Sequence, residues 1–229
     1  MQPKTPLPAS IPVPMFTNIP RRGKFLTLEG IDGAGKSSHI LFIADRIRAQ
    51  GFDVITTREP GGTRLGEALR TMLLNDKMHP DTEALLMFAS RREQLAEIIE
   101  PALAAGKWVI CDRFTDSTYA YQCGGRGLPL ERIDALAQWV HSHLQPDLTF
   151  LFDAPLAIAR ERLDKNTAEP DKFEREQQDF FAKVRAAYLQ LAADSPRRIK
   201  VLNSARPITE IQSELVQLLG SMSESIRDD

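Results

Sequence analysis

The sequence predicts an α/β fold with a five-stranded parallel sheet that carries helices on both faces. Five short apolar segments alternate with helix-like segments along the chain, and this alternation is typical of parallel sheets. The 229 residues can bury one substantial core, which favours a single domain over two small ones. The predicted strands cover residues 25–29, 53–57, 107–111, 148–152 and 198–202.

The first predicted strand leads directly into a phosphate-binding loop. Residues 30–37, GIDGAGKS, fit the pattern G-x-x-x-x-G-K-[ST], and apolar residues then recur at helical spacing. Backbone N–H groups of such a loop bind phosphate oxygens, Lys36 reaches the β- and γ-phosphates, and the Ser37 hydroxyl can coordinate Mg²⁺. The sequence therefore predicts a nucleoside triphosphate site on a P-loop NTPase-type fold, with the lysine on an exposed loop. A glycine turn that matches by chance is the alternative.

The connections between the later strands contain three further segments. A helical stretch is predicted from about residue 80 to 105, and Pro101 should break or kink it. Residues 124–129, GGRGLP, predict a flexible loop that opens a helix to about residue 143. Residues 160–176 mix basic and acidic side chains with a proline, and we expect an exposed, mobile lid there.

Composition limits the classes to which the protein can belong. The formal charge of −2 and the pI near 6.1 argue against a general nucleic-acid binder. No apolar run is long enough for a membrane span, and the start of the chain lacks a signal peptide. Two cysteines form neither a disulfide framework nor a metal site, which indicates the reducing cytoplasm. We expect a disordered Pro-rich tail at residues 1–23, a domain at 24–221 and a C-terminal tail at 222–229.

Charged residues are predicted at the carboxyl ends of the strands, where such sheets bind their ligands. Asp112 follows an apolar run, which is the expected setting for an acid that holds Mg²⁺ through water. Its alternative role is a surface ion pair with Arg113. Asp153 and Arg58 occupy comparable positions. Phosphoryl transfer requires charge neutralisation, and four arginines from different loops are candidates to converge for it: Arg58, Arg91, Arg113 and Arg126.

Four segments together resemble the successive motifs of the thymidylate kinase family, particularly its bacterial form. They are TREPGGT at residues 57–63, SRRE at 90–93, DRFTDSTYAYQ at 112–122 and GRG at 125–127. Their order and spacing match from about residue 24 to the last helix. The resemblance implies ATP-dependent, in-line phosphorylation of dTMP to dTDP for dTTP biosynthesis. It also implies Mg²⁺ as cofactor and a homodimer.

The resemblance also implies an acceptor site. Asp32 would face the deoxyribose 3′-hydroxyl, Arg58 and Arg113 would hold the dTMP phosphate, Arg91 would reach the thymine O4, and Tyr121 would crowd the sugar 2′ position. Read alone, Arg91 is more often a solvated residue on a charged helix face. The predicted dTMP-binding residues are Asp32, Arg58, Met87, Phe88, Arg91, Arg113, Ser117, Thr118, Tyr121 and Gln122.

The donor site and the catalytic residues follow from the same resemblance. Adenine is expected near residues 203–207, after the last strand. The predicted ATP-binding residues are Gly30, Ile31, Asp32, Gly33, Ala34, Gly35, Lys36, Ser37, Ser38 and Arg206. The predicted catalytic residues are Lys36, Asp32, Arg113, Arg162 and Lys165, and the predicted metal-binding residues are Ser37 and, through water, Asp112.

The chain departs from the family pattern in three places. The smallest departure is Ser38, which replaces the more usual threonine. Where the family places an aromatic ring for stacking on thymine, this chain has Met87 followed by Phe88, and the sequence does not decide between them. The alternative is that both are core residues at helical spacing. The lid lacks a dense arginine run, so the cation that reaches ATP is also undecided among Arg160, Arg162, Lys165 and Lys172. Glu59-Pro60 predicts a tight turn over the substrate, with a trans bond as the default.

Two other functions fit part of the sequence. A kinase for a different deoxynucleotide would share the phosphate loop but read the base edge with other residues. A nucleotide-dependent switch or assembly ATPase would also use this loop, with a residue that orients water and a segment that responds to loss of the γ-phosphate. Neither of these two features is recognisable here.

Overall fold

The computed structural model describes residues 22–166 and 171–227. Its five strands form one parallel sheet in the order β2-β3-β1-β4-β5, which confirms the predicted fold class. The strands are β1 Phe25–Glu29, β2 Val54–Arg58, β3 Trp108–Asp112, β4 Leu148–Asp153 and β5 Ile199–Asn203. Three of them lie one residue later than predicted, because the polar residues at their carboxyl ends still take part in strand pairing.

Helices connect the strands and cover both faces of the sheet. The α-helices are α1 Ser37–Ala49, α2 Arg64–Asn75, α3 Pro80–Gln94, α4 Glu100–Ala104, α5 Thr115–Thr118, α6 Leu130–His141, α7 Leu156–Asn166, α8 Gln178–Asp194 and α9 Ile208–Arg227. Two π-helical segments, Leu95–Ile99 and Tyr119–Gly125, continue α3 and α5. None of the described helices is both long and apolar enough to cross a membrane.

Strand β1 shows why both faces need a cover. Leu26 and Leu28 pack into one buried apolar cluster, whereas Phe25 packs into the other. Side chains alternate between the faces of a strand, so an apolar strand contributes to two cores. The first core includes Ile43 of α1 and Val184 of α8, and the second is formed with α3 and α6.

The carboxyl ends of all five strands lie at one edge of the sheet. Arg58 pairs with Asp112, and Asp153 pairs with Asn203, at the last positions of their strands. The phosphate loop follows β1 at this same edge, and Arg58, Asp112 and Asp153 end their strands there, as predicted.

Pro101 does not break the helical stretch between β2 and β3, so of the two predicted effects, a break or a kink, the break is wrong. The chain remains helical through the π-helical segment and continues into α4, where Pro101 is the second residue. In the first turn of a helix the missing N–H of proline costs no intrahelical bond. The π-helical turns immediately before it absorb the change in hydrogen bonding.

The glycine-rich segment after α5 is more ordered than predicted. Gly124 and Gly125 belong to the π-helical segment Tyr119–Gly125, and helix α6 ends at His141, before residue 143. A Cβ atom on Gly125 would lie 2.4 Å from the Phe180 ring of α8. The glycine therefore allows close helix packing, and the loop starts only at Arg126.

The segment expected to be an exposed lid is partly packed against the core. Its first part belongs to α7, and residues 167–170 lie outside the described part of the chain. Phe173 is buried and joins the first core. At the chain ends, residues 1–21 of the predicted tail also lie outside the described part, and α9 extends past the predicted boundary at residue 221.

Candidate active site

The phosphate loop between β1 and α1 closes around its own lysine. Gly30, Gly33 and Gly35 adopt positive φ angles of 137°, 77° and 95°, which side-chain-bearing residues rarely adopt. Lys36 Nζ donates to the carbonyl oxygens of Gly30 at 3.1 Å and Ile31 at 3.3 Å. The prediction of an exposed lysine is wrong, because the side chain lies inside the curve of the loop and is buried.

Gly33 also explains why this loop carries no basic side chain. A Cβ atom there would lie 2.1 Å from the carbonyl oxygen of Ala159 in α7. Helix α7 therefore packs directly on the loop, and a basic residue would displace it. Arg162 of the same helix supplies a cation next to the loop, since its Nη1 donates to the Ala34 carbonyl at 3.5 Å and its Nη2 to the Ser204 carbonyl at 2.9 Å.

An ion pair joins the phosphate loop to the end of β3. Arg113 Nη2 donates to Asp32 Oδ1 at 2.5 Å, and the Tyr121 hydroxyl donates to Asp32 Oδ2 at 2.8 Å. Burial would raise the pKa of Asp32, but the positive charges of Arg113 and Lys36 outweigh it and lower this pKa below its usual value. Asp32 is therefore favoured as an anion, and it is held by Arg113 and Tyr121.

Arg113 reaches this position from a strained backbone. Among the described residues it is the one non-glycine residue with a positive φ, 71°. Behind it, Glu29 accepts hydrogen bonds from the Phe114 N–H at 2.7 Å, the Ser117 hydroxyl at 2.5 Å and the Tyr188 hydroxyl at 2.9 Å. The pKa of Glu29 is raised to about 7, mainly by burial and secondly by the negative charge of Asp116.

A cavity of about 90 Å³ opens beside this ion pair. Polar atoms at its inner end come mainly from α3, α5 and the following π-helical segment. The side chains that line it are those of Asp32, Glu59, Pro60, Arg70, Leu74, Met87, Arg91, Arg113, Phe114, Ser117, Thr118, Tyr121, Gln122, Asp171 and Phe173. It thus contains every predicted acceptor-site residue except Arg58 and Phe88.

Arg91 is fixed at the inner end of this cavity. Its Nε donates to Glu59 Oε2 at 2.7 Å and its Nη2 donates to Thr118 Oγ1 at 3.1 Å. The guanidinium lies over the rings of Phe88, at 4.6 Å, and Phe114, at 5.0 Å. Burial raises the pKa of Glu59 to about 7, although Arg91 opposes this shift. Nη1 of Arg91 is buried and has no protein partner in the described part of the chain.

Met87 and Phe88 are placed differently by helix α3. Met87 lines the cavity, whereas Phe88 is buried beneath the Arg91 guanidinium and packs with the second core. Glu59-Pro60, which closes one side of the cavity, is a cis peptide bond rather than the default trans bond.

A second, larger cavity adjoins the first along the phosphate loop. Its walls include residues 33–38, Asp112, Arg162 and Arg206. Its far end is lined by Ser204, Ile208 and Ile211. The two cavities share one border, formed by Asp32, Glu59, Arg70, Arg113 and Asp171.

Two predicted metal-binding residues fit a divalent cation in this second cavity. Ser37 and Asp112 both line it, and Asp112 Oδ1 is buried without a protein partner among the described residues. An unpaired buried carboxylate oxygen is costly, and a metal-bound water would satisfy it. The described residues contain no group of three or more His, Cys, Asp or Glu side chains that would hold a metal alone. Phosphate oxygens and water would therefore supply most of the ligands.

Some predicted residues lie apart from the acceptor cavity. Arg58 pairs with Glu67 at 2.8 Å and lines only the second cavity, and Lys165 is exposed and pairs with Glu161 at 2.6 Å. Arg126 packs against the Phe180 ring with its Nε 3.4 Å from Glu83, so the four arginines do not all converge. At the end of β4, Asp153 is paired with Arg185.

The structure also adds residues that the sequence did not indicate. Arg70 of α2 lines both cavities, and its Nη1 donates to the Pro60 carbonyl at 3.0 Å. Asp171 and Phe173 form part of the cavity wall. A single arginine on a helix face of mixed polarity, such as Arg70, gives no sequence signal for a binding site. The pairing of Glu59 with Arg91 is different, because both charges belong to predicted substrate motifs and could have indicated an ion pair.

Comparison with known proteins agrees with this geometry. The family model for thymidylate kinase matches residues 28–215. The chain is 59 % identical to the thymidylate kinase of Cupriavidus metallidurans, covering 88 % of this chain and 100 % of that protein. It is 54 % identical to the thymidylate kinase of Methylobacillus flagellatus, covering 86 % and 97 %.

A solved structure gives the same result for the fold. The crystal structure of thymidylate kinase from Ehrlichia chaffeensis superposes with a TM-score of 0.71 at 33 % sequence identity, and the match covers 87 % of this chain and 99 % of that one. A phosphate loop, an adjoining cavity with a buried arginine and these similarities lead to one assignment. The chain belongs to the thymidylate kinase family.

Proposed function

We propose that this protein transfers the γ-phosphoryl group of ATP to dTMP and produces dTDP, a step in dTTP synthesis. The observation that carries the proposal is the shared border of the two cavities. A donor on the phosphate loop and an acceptor in the smaller cavity would meet there end to end, next to Arg113 and Arg70. Membership of the thymidylate kinase family supports the same reaction.

The donor occupies the larger cavity in this proposal. Residues 30–38 hold the triphosphate through backbone N–H groups, with Lys36 at the β- and γ-phosphates. Adenine lies toward the far end of the cavity, where Ile208 and Ile211 offer apolar contact and Ser204 and Arg206 offer polar groups.

The acceptor occupies the smaller cavity with its base at the inner end. Arg91 and Thr118 are tied to each other there, and the free Nη1 of Arg91 suits a carbonyl acceptor such as the thymine O4. Met87 packs its thioether against the base. The Tyr121 hydroxyl, which donates to Asp32, would restrict the sugar 2′ position. The dTMP phosphate then faces Arg113, with Arg58 reaching it from the second cavity.

The transfer itself needs positioning and charge neutralisation rather than a general base, because a phosphate oxygen of dTMP is already ionised at neutral pH. Lys36 and Arg113 neutralise the charge on the transferring group from two sides. Arg162 is the lid cation best placed to contact ATP, since it lines the donor cavity. Lys165 would reach ATP only after its ion pair with Glu161 is broken. Mg²⁺ held by Ser37 and, through water, by Asp112 would bridge and neutralise the phosphates.

The assembly and location belong to the same proposal. Large exposed apolar side chains lie on three neighbouring helices, Leu65 and Met72 on α2, Leu85 on α3 and Trp139 on α6. Such a face suits the interface of a homodimer. We expect a cytoplasmic enzyme whose kinase domain spans residues 24–221, with a lid at about 160–176, and which binds neither nucleic acid nor membranes.

A coupled assay of ADP release tests the proposed function. With ATP and Mg²⁺ present, ADP release should depend strictly on added dTMP, and dTDP should form in equal amount. Faster ADP release with another deoxynucleotide than with dTMP would make that nucleotide the substrate. ATP hydrolysis that no nucleoside monophosphate affects would instead indicate a switch or assembly ATPase.

A further inference from the structure

Glu83 of helix α3 is a buried carboxylate that the proposed reaction does not use. Three segments distant in sequence contact it: Gln122 Nε2 at 2.9 Å, Lys172 Nζ at 2.8 Å and Arg126 Nε at 3.4 Å. Its side chain is 3 % exposed, so burial would be costly without these partners. Lys172 and Arg126 balance the negative charge of Glu83, whereas the contact with Gln122 orients an amide.

The contact with Glu83 sets the direction of the Gln122 amide. A carboxylate only accepts hydrogen bonds, so Gln122 must present its nitrogen to Glu83. The amide oxygen is then the group left to accept a hydrogen bond on the other side of the amide. Gln122 is 1 % exposed and lines the acceptor cavity, whereas Glu83 lies behind the cavity wall.

A fixed acceptor at this place discriminates between pyrimidines. Thymine and uracil carry a donor at N3, whereas cytosine carries an acceptor there, which would face the Gln122 oxygen without a proton between them. We propose that Glu83 is a positioning residue that holds the Gln122 amide in one orientation and so selects a base with an N3–H group. This inference rests on the proposed function, phosphorylation of dTMP.

The substitution Glu83→Gln tests the inference at almost constant volume. A glutamine at this position can offer its own nitrogen to Gln122, so the amide is free to turn around. Losing one hydrogen bond to the base should raise the KM for dTMP about tenfold. The KM for ATP and kcat should change less than threefold. With dCMP as a competitor, the ratio of its inhibition constant to the KM for dTMP should fall about tenfold.

A double-mutant cycle separates positioning from a general structural role. Gln122→Ala alone should raise the KM for dTMP to a similar extent, and adding Glu83→Gln to it should change that KM no more than about twofold. Glu176→Gln is the matched control, because Glu176 also binds Arg126, at 2.5 Å, but has no contact with Gln122. It should leave the KM for dTMP within about twofold of the original protein.

Two results would overturn the inference. One is an unchanged KM for dTMP in Glu83→Gln. The other is a double variant whose increase in the KM for dTMP equals the product of the increases caused by Glu83→Gln and Gln122→Ala alone. If Glu83→Gln does not fold, Glu83→Asp, which withdraws the carboxylate by one methylene, enters the same cycle with the same criteria. The unsubstituted protein is assayed first. Without dTMP-dependent ADP release the proposed function itself fails, whereas normal release with a multiplicative cycle refutes only the role of Glu83.

Discussion

Replacing Lys36 with methionine is expected to lower kcat about a thousandfold, because the ammonium that neutralises the transferring phosphoryl group is lost. The KM for dTMP should change much less, since Lys36 lines only the donor cavity. Methionine keeps the buried stem, so the free energy of unfolding should fall by only about 1 kcal/mol for the two lost hydrogen bonds to Gly30 and Ile31. Steady-state kinetics and chemical denaturation measure the two effects.

Lys107→Met is the matched control for this substitution. Lys107 precedes β3, at the opposite edge of the sheet from the phosphate loop, and its side chain is 43 % exposed. Its replacement should leave kcat within about twofold. A Lys36→Met protein that folds normally and keeps near-normal turnover would contradict the role given to Lys36.

Replacing Arg91 with alanine is expected to damage both acceptor binding and stability. Glu59 would remain buried without its cation, which costs about 3–5 kcal/mol of unfolding free energy. The KM for dTMP should rise about a hundredfold, because the charged donor for the base and the anchor of Thr118 are both lost. The KM for ATP should stay within about threefold, since Arg91 does not line the donor cavity.

The next residue provides the control. Arg92 is on the same helix but is half exposed and pairs with Glu100 at 3.1 Å, away from the cavity. Arg92→Ala should cost no more than about 1 kcal/mol of stability and leave both KM values nearly unchanged. If Arg91→Ala raised the KM for ATP as much as that for dTMP, Arg91 would belong to a different part of the reaction.

The parts of the fold that the sequence predicts are those that depend on local pattern. Residues 30–37 form their loop because glycine spacing, the preceding strand and the following helix all agree. Asp112 and Arg113 are predictable for a similar reason. They follow an apolar strand, and in a parallel sheet the carboxyl ends of the strands all lie at the edge where ligands bind. Exact strand ends are less predictable, because pairing continues for one residue beyond the apolar run.

The errors concern interactions between residues distant in sequence. Residues 171–176 look exposed by composition, yet Phe173 is buried and Lys172 pairs with Glu83 of another helix. Lys36 looks exposed on a loop, but the loop folds around it. A charge pattern does not show whether its partner lies elsewhere in the fold, so these contacts needed the structure.

The acceptor cavity shows the same limit. Two adjacent residues, Met87 and Phe88, point in different directions from α3, and only the position of the neighbouring helices decides which one lines the cavity. Arg70 was not predicted at all, because its function depends on the turn at Pro60 to which it donates a hydrogen bond.

The central claim is that donor and acceptor are bound at once, end to end across the shared border of two cavities. The most direct test is the affinity of a compound that joins adenosine and thymidine through five phosphates, one more than ATP and dTMP contain together. Because both halves bind as one molecule, it should bind at least about a hundredfold more tightly than ATP and displace both nucleotides. Binding no tighter than that of ATP, or binding that leaves dTMP in place, would contradict the account.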